Sequence, residues 1–190
     1  MILRSTNDNE REGKQAKLFE LKLRGGRSNK YTPDADIELG DQAYSFELKT
    51  FAHKGNGVST ARGVKQKKVD EWRGVSFWIF SEYEPPNELT GEHWILSASE
   101  MESFFVGVEE KLHVGSKTLA GLNDWAAAVA VLEGTGFDKE LLKKLDYAFV
   151  DKGCALNDPK IPLHYVRENG TKIQRKEDLR RYLKKLLDKQ

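Results

Sequence analysis

A single cysteine, Cys154, occurs among 190 residues. That excludes an internal disulfide and a cysteine-rich zinc site. Nowhere does the chain approach the ~18 consecutive apolar residues of a membrane-spanning helix. Its opening stretch, MILRSTNDNEREGKQ, has no apolar core of a secretory signal. Prolines number five, and there is no internal repeat or low-complexity tract, so the composition is not that of a fibre or a linker. The four histidines (His53, His93, His113, His164) show no ligand spacing. These absences lead us to expect a single globular, cytoplasmic domain over 1–190 with no membrane partner. Four Trp, six Tyr and nine Phe supply the apolar area for its core.

Charge of either sign is abundant and unevenly placed. Lys and Arg number 31 against 30 Asp and Glu, a net of +1. Lys54 to Arg73 holds six basic and two acidic residues, and Lys172 to Gln190 eight and three. Between them, Val75 to Asp151 holds five basic and fourteen acidic residues. Local basic faces of this kind suit a polyanion, with the acidic part facing water; the alternative is a solvated surface clustered by chance.

The pattern predicts a helix over Asn7 to Arg24, stopped by Gly25-Gly26. Asp34 to Leu39 and Ala43 to Phe51 read as strands joined at Gly40-Asp41-Gln42, a hairpin. A glycine-rich loop and a basic helix, Val64 to Arg73, follow. VSFWIFSEY (75–83) and HWILS (93–97) read as strands, and Ser99 to Leu112 as a helix with a Ser/Glu start. Leu119 to Leu132 and Asp138 to Leu145 are further helical segments, and Ile161 to Val166 is short and extended. Glu177 to Lys189 carries the apolar stripe Leu179, Tyr182, Leu183, Leu186, Leu187, with basic residues opposite. Helices flanking a mixed central β-sheet make an α/β (α+β) fold.

The sharpest chemistry lies in PDADIELGDQAYSFELKT (33–50). Strand alternation puts Glu47 and Lys49 on one face and Phe46 and Leu48 on the other. The hairpin is expected to bring Asp36 beside Glu47. Two carboxylates meeting an ammonium suit metal-assisted phosphodiester cleavage, because hard oxygens favour Mg²⁺, which polarises a phosphoryl oxygen and activates water. Asp36, Glu47 and the Leu48 carbonyl are the expected ligands, and Lys49 is expected to orient or activate water or to stabilise developing charge. The spacing alone is weak: five acid-x-Lys triples occur, ending at Lys14, Lys22, Lys49, Lys111 and Lys160. Only the one at Lys49 is strand-patterned and preceded by an acidic strand. The alternative is an ordinary Glu-Lys pair on an exposed hairpin.

Three stretches carry a resemblance. They are Asp36 with Glu47-Leu48-Lys49; Lys54 through Phe80, with HKGNGVST, a basic segment and SFWIF; and Asn157-Asp158-Pro159-Lys160-Ile161-Pro162 through Tyr165-Val166 and Asn169-Gly170-Thr171-Lys172-Ile173. Together they resemble the PvuII-type type II restriction endonucleases, a branch of the PD-(D/E)XK nuclease superfamily. The resemblance implies a restriction-endonuclease-like core and Mg²⁺-dependent cleavage of double-stranded DNA at a short palindrome. It also implies a homodimer, a bacterial host and a cognate DNA methyltransferase encoded nearby. Carried over, Asp36, Glu47 and Lys49 are catalytic, Trp72 falls near the metal, and Asn157 falls where a base edge is read. Ser59 and Thr60 would face DNA.

The departures from that family lie in recognition and assembly. Asp158 replaces an Asn, and a carboxylate accepts without donating, which favours a cytosine amino group. A run of His after Ser-Thr is replaced by Ala61-Arg62-Gly63, with Lys65 and Gln66 following. Arg62 or Lys65 can read guanine and Gln66 adenine; alternatively Arg62, Lys65, Lys67 and Lys68 hold phosphates only. The family's first dimerising segment is largely absent. Extra material occupies about 115–147, and an amphipathic helix (175–189) is appended, packing on its own domain or forming a dimer seam. Two other readings stand beside restriction: a nuclease of DNA repair or of structured DNA, and a DNA-binding module whose carboxylates no longer work.

Overall fold

The computed structural model describes residues 4–24, 33–118, 147–149, 154–156 and 158–188. They fall into two compact units: 1–58, 74–101 and 161–190 form one, and 59–73 with 102–160 the other. The expected helices at 119–132 and 138–145, most of the 115–147 segment, and Asn157 lie outside the described residues.

The first unit is built on a six-stranded sheet with the order β1-β2-β3-β5-β6-β10. These strands are β1 (Lys22–Leu23), β2 (Ala35–Leu39), β3 (Gln42–Ala52), β5 (Phe77–Glu84), β6 (Glu88–Ser97) and β10 (Thr171–Ile173). The β3–β5 pair is parallel and every other pair antiparallel, so the sheet is mixed, and helices flank it. The fold is thus of the mixed α/β kind. Two short strands, β4 (Gly57–Val58) and β9 (Ile161–Pro162), pair with each other. β9 is therefore an edge, where the missing N–H of Pro162 is tolerated.

Alternation along β3 divides the sheet into two faces. Phe46 and Leu48 join Ala35, Ile37, Phe77, Ile79, Ile95 and Ile173 in one apolar layer. Two helices close it: α1 (Arg4–Phe19) through Ala16 and Phe19, and α5 (Lys176–Leu187) through Leu179 and Leu183. Tyr182 and Leu186 of α5 pack against the same layer. The C-terminal stripe is thus buried on its own unit. Burying each such leucine contributes about 1.5–3 kcal/mol. Glu47 and Lys49 project from the other face, with Trp78 and Phe80 of β5 at the paired positions.

Several element ends differ from the sequence reading. α1 begins at Arg4 and stops at Phe19, not at Arg24. Glu20 turns to φ 53°, and the Leu21 amide reaches back to the Ala16 carbonyl at 2.8 Å, a Schellman-type stop without glycine. Lys22 and Leu23 then pair with Asp36 and Ala35. Residues 163–166 are helical rather than extended: α4 (Leu163–Asn169) starts after Pro162 and buries Leu163 and Val166, one turn apart. The Ser/Glu start predicted near residue 99 is a reciprocal capping box before α3 (Ala98–Thr118). The Ser97 amide donates to Glu100 Oε2 at 2.6 Å, and the Glu100 amide to Ser97 Oγ at 3.3 Å.

The second unit contains α2 (Gln66–Arg73), residues 102–118 of α3, β7 (Tyr147–Phe149) and β8 (Cys154–Leu156). Val64, expected in α2, is instead bridged to Leu156 through N···O distances of 2.8 and 2.9 Å. Trp72 is buried against Phe104 and Phe105, with ring centroids 6.3 and 6.4 Å apart. Arg73 fastens α2 to α3, reaching Glu102 at 2.8 Å and Glu109 at 2.5 Å.

Candidate functional site

The β2–β3 turn fixes which acid meets Glu47. Gly40 has φ +61° and, with Asp41, makes a two-residue connection closed by the Leu39–Gln42 pair. A glycine at the first central position is what such a turn demands. From that closure the register runs Ile37–Tyr44, Asp36–Ser45 and Ala35–Phe46. One step further, Asp34 faces the Glu47 level. The expectation that Asp36 lies beside Glu47 is therefore corrected. Asp36 faces Ser45, two residues short, and its carboxylate is held by the Arg24 guanidinium.

Asp34 takes the place assigned to Asp36. Its Oδ2 accepts the Leu48 amide at 2.8 Å and lies 4.0 Å from the Lys49 ammonium. Lys49 Nζ donates to Glu47 Oε1 at 2.6 Å. In an extended strand the N–H and C=O of one residue point to the same side. The Leu48 carbonyl thus faces the edge where Asp34 sits. The Lys49 side chain is 14% exposed and that of Glu47 9%, so this pair is largely withdrawn from water and only weakly screened, while Asp34, 26% exposed, faces solvent in part. Burial pulls the Lys49 ammonium down, but Glu47 and Asp34 more than reverse this and hold it above its ordinary range. The Lys49 ammonium, 2.6 Å from Glu47, is thus placed as a hydrogen-bond donor within the site.

A helix contributes two residues that the sequence reading missed. Glu12 of α1 has its carboxyl raised from 4.5 to about 7, by burial first and then by Asp34, with Lys49 opposing and Asp8 and Glu47 adding. It is a further acid in the field of the trio. One turn on, Gln15 is fully buried and its Nε2 donates to the Lys49 carbonyl at 3.0 Å, the Ile79 carbonyl at 3.3 Å and Ser81 Oγ at 2.7 Å. Ser81 Oγ also lies 2.8 Å from His93 Nδ1, and burial lowers the His93 imidazole from 6.5 to about 4. Asp34 was legible from the turn length. Glu12 and Gln15 had no local signal, only the i, i+3 relation on α1.

Compared with known protein families and with characterised proteins, the chain matches none. The reading of the site therefore rests on its own residues. Among the described residues no cluster of three His, Cys, Asp or Glu gathers as a metal-binding group. The donors available are two carboxylates, Asp34 and Glu47, and the Leu48 carbonyl. All are hard oxygens, the set that suits Mg²⁺, an ion that usually keeps several waters of its own.

The residues expected to meet DNA lie in the second unit, apart from Asn157, which is outside the described residues. Ser59, Thr60 and Asp158 do come together. Asp158, at φ 59°, accepts the Thr60 amide at 2.8 Å and Lys160 Nζ at 2.5 Å, and its own amide donates to the Ala61 carbonyl at 2.9 Å. Lys160 also reaches Ser59 Oγ at 2.5 Å, and Thr60 Oγ1 donates to the Pro159 carbonyl at 2.7 Å. Both Asp158 oxygens are thus engaged in clamping this loop. Gln66 donates to Asp70 at 2.9 Å and Glu109 at 2.5 Å, so its amide is used within the unit. Lys68 lies 3.8 Å from Glu71 and 5.9 Å from the Trp72 ring centroid. Arg62 is exposed and Lys65 half-buried.

Proposed function

We propose that the protein is a Mg²⁺-dependent endonuclease with a PD-(D/E)XK core, hydrolysing phosphodiester bonds of double-stranded DNA, in the manner of a type II restriction enzyme. The observation that carries this reading is the meeting of Asp34, Glu47 and Lys49 where β2 gives out beside β3. In the proposed assignment Asp34 replaces Asp36, and Asp34, Glu47 and the Leu48 carbonyl hold the cation. When bound, Mg²⁺ supplies polarisation of the phosphoryl oxygen and a lowered pKa of coordinated water. Lys49, whose ammonium lies 2.6 Å from Glu47, would place a donor against the negative charge that builds on the phosphoryl group as water attacks. A short palindromic target matches a two-fold homodimer.

Digestion of plasmid and phage DNA with Mg²⁺ against EDTA tests this, with Lys49→Ala as control. Discrete Mg²⁺-dependent fragments, absent with the variant, are expected. A smear would replace restriction by a less specific nuclease of the same chemistry. Binding without cutting on any substrate would overturn the enzymatic reading.

A further inference from the structure

We propose that the outward face of α5, with the groove beside it, is a second DNA-binding surface, on the side of the sheet opposite Glu47 and Lys49. It takes from the proposed function only its partner, DNA. The apolar stripe of α5 is buried through Leu179 and Leu183 against the layer that contains Phe46 and Leu48. That placement turns the cations of the helix outward. Arg181, Lys184 and Lys185 are all exposed, at i, i+3 and i+4 on one face. Like charges at that spacing repel one another, while Lys184 and Lys185, in the last turn of α5, also face the negative end of its dipole.

Alongside runs a groove of about 490 Å³ whose lining includes Lys172, Arg181 and Lys185 with Ser99 and Thr171. Cationic and hydroxyl donors together are the ordinary makers of phosphate contacts. Two acids share the groove, and both are occupied. Glu100 accepts the Ser97 amide at 2.6 Å and the Tyr182 hydroxyl at 3.1 Å. Asp178 accepts the Gln174 amide at 3.1 Å and lies 3.7 Å from Arg181. Lys172 is bonded to Glu92 at 2.9 Å. Lys184 and Lys185 form no ion pair with any described residue. A row of exposed cations bordering a hydroxyl-lined groove fits the repeating phosphates of a duplex backbone, without base reading.

The test is anisotropy of a labelled duplex in EDTA, comparing the protein with the triple variant Arg181→Gln/Lys184→Gln/Lys185→Gln over a salt series. Loss of three phosphate contacts makes the log–log salt slope shallower by about 2.7, so the wild-type protein sheds about 40-fold more affinity than the variant between about 50 and 200 mM salt. The charge-keeping variant Arg181→Lys/Lys184→Arg/Lys185→Arg retains the slope. Should the Gln variant fail to fold, acetylation of the wild-type protein answers instead: bound duplex is expected to shield Lys184 and Lys185. An unchanged slope, unshielded lysines, or binding to anionic vesicles in place of DNA each overturns the inference. Shielding without cleavage leaves it standing while the nuclease reading falls, and cleavage with an unchanged slope does the reverse.

Discussion

The Leu48 amide donates to Asp34 Oδ2 at 2.8 Å, just where β2 stops supplying backbone partners to β3. The last cross-strand pair is Ala35–Phe46. Beyond it a carboxylate replaces a carbonyl on the ladder. One oxygen of Asp34 is thereby fixed by the backbone of the strand that carries Glu47 and Lys49. The trio is positioned by sheet register rather than by side-chain freedom, and that makes the assignment testable residue by residue.

Asp34→Ala removes a carboxylate from the proposed cation site, and Asp36→Ala only unpairs Arg24. Single-turnover cleavage in Mg²⁺ is expected to fall by two orders of magnitude or more for Asp34→Ala, about the scale of losing one charge-stabilising group. Asp36→Ala is expected to stay within about threefold, as fits an exposed ion pair. The reverse order would return the ligand role to Asp36.

Much of this was legible in the chain because period and turn chemistry are local. The β2–β3 hairpin, the buried strand around Trp78 and the α5 stripe follow from alternation and the i, i+4 rule, and a helix start near Ser99 was expected, though its cap is Ser97, which was read as the end of a strand. The register was legible too: a two-residue turn at Gly40-Asp41 puts Asp34, not Asp36, at the level of Glu47. Counting Gln42 as part of the turn loses that relation. What could not be read depends on packing. Glu12 and Gln15 matter because α1 crosses β3, and no pattern within α1 announces that. The helix end at Glu20 was hidden because a non-glycine residue takes the positive φ, which only a tertiary context enforces.

Glu12 makes stability depend on pH in a direction unusual for an acid. Its carboxyl rises from 4.5 to about 7 on folding, by burial and then by Asp34. Below the unfolded value both states are protonated and nothing is lost. As pH climbs from about 4.5 to 7 the unfolded state ionises first, so the native state loses ground; above that window the loss is constant. Glu12→Gln cannot ionise. It should melt above the wild-type protein at pH 8 and level with it at pH 4. Thermal melts across that range check this, and an equal offset at both ends would show that ionisation is not the cause.

Asp158 is held by its own loop, so its first effect should be on folding. Asp158→Ala removes the acceptor for the Thr60 amide and leaves a β-carbon residue at φ 59° without the local bonding that Asp supplies. A loss of about 1–2 kcal/mol in urea unfolding is expected, the usual scale for a part-buried polar contact. Asp158→Asn keeps an oxygen for that amide, tolerates the same φ and gives up only the exposed pair with Lys160, so its loss should be less than half as large. Equal losses would mean that the ion pair, not the Thr60 bond, closes the loop.

Gln15 offers the sharpest contrast between shape and charge. Its Nε2 serves the Lys49 and Ile79 carbonyls and Ser81, while its Oε1 is buried with no hydrogen-bond partner among the described residues. Gln15→Leu has nearly the same size. It gives up the donor but also removes an unsatisfied oxygen, and Ser81 keeps His93 as a partner. A cost of about 1–2 kcal/mol is expected. Gln15→Glu has the same shape but places a carboxylate against two carbonyl oxygens in a water-excluded position. It must stay protonated or expel its charge, so its destabilisation should exceed that of Gln15→Leu and grow as pH rises from 5 to 8. Denaturant unfolding at both pH values separates the two. A Gln15→Glu protein as stable at pH 8 as at pH 5 would show that the position is open to water, and that α1 does not seal the strand carrying Lys49.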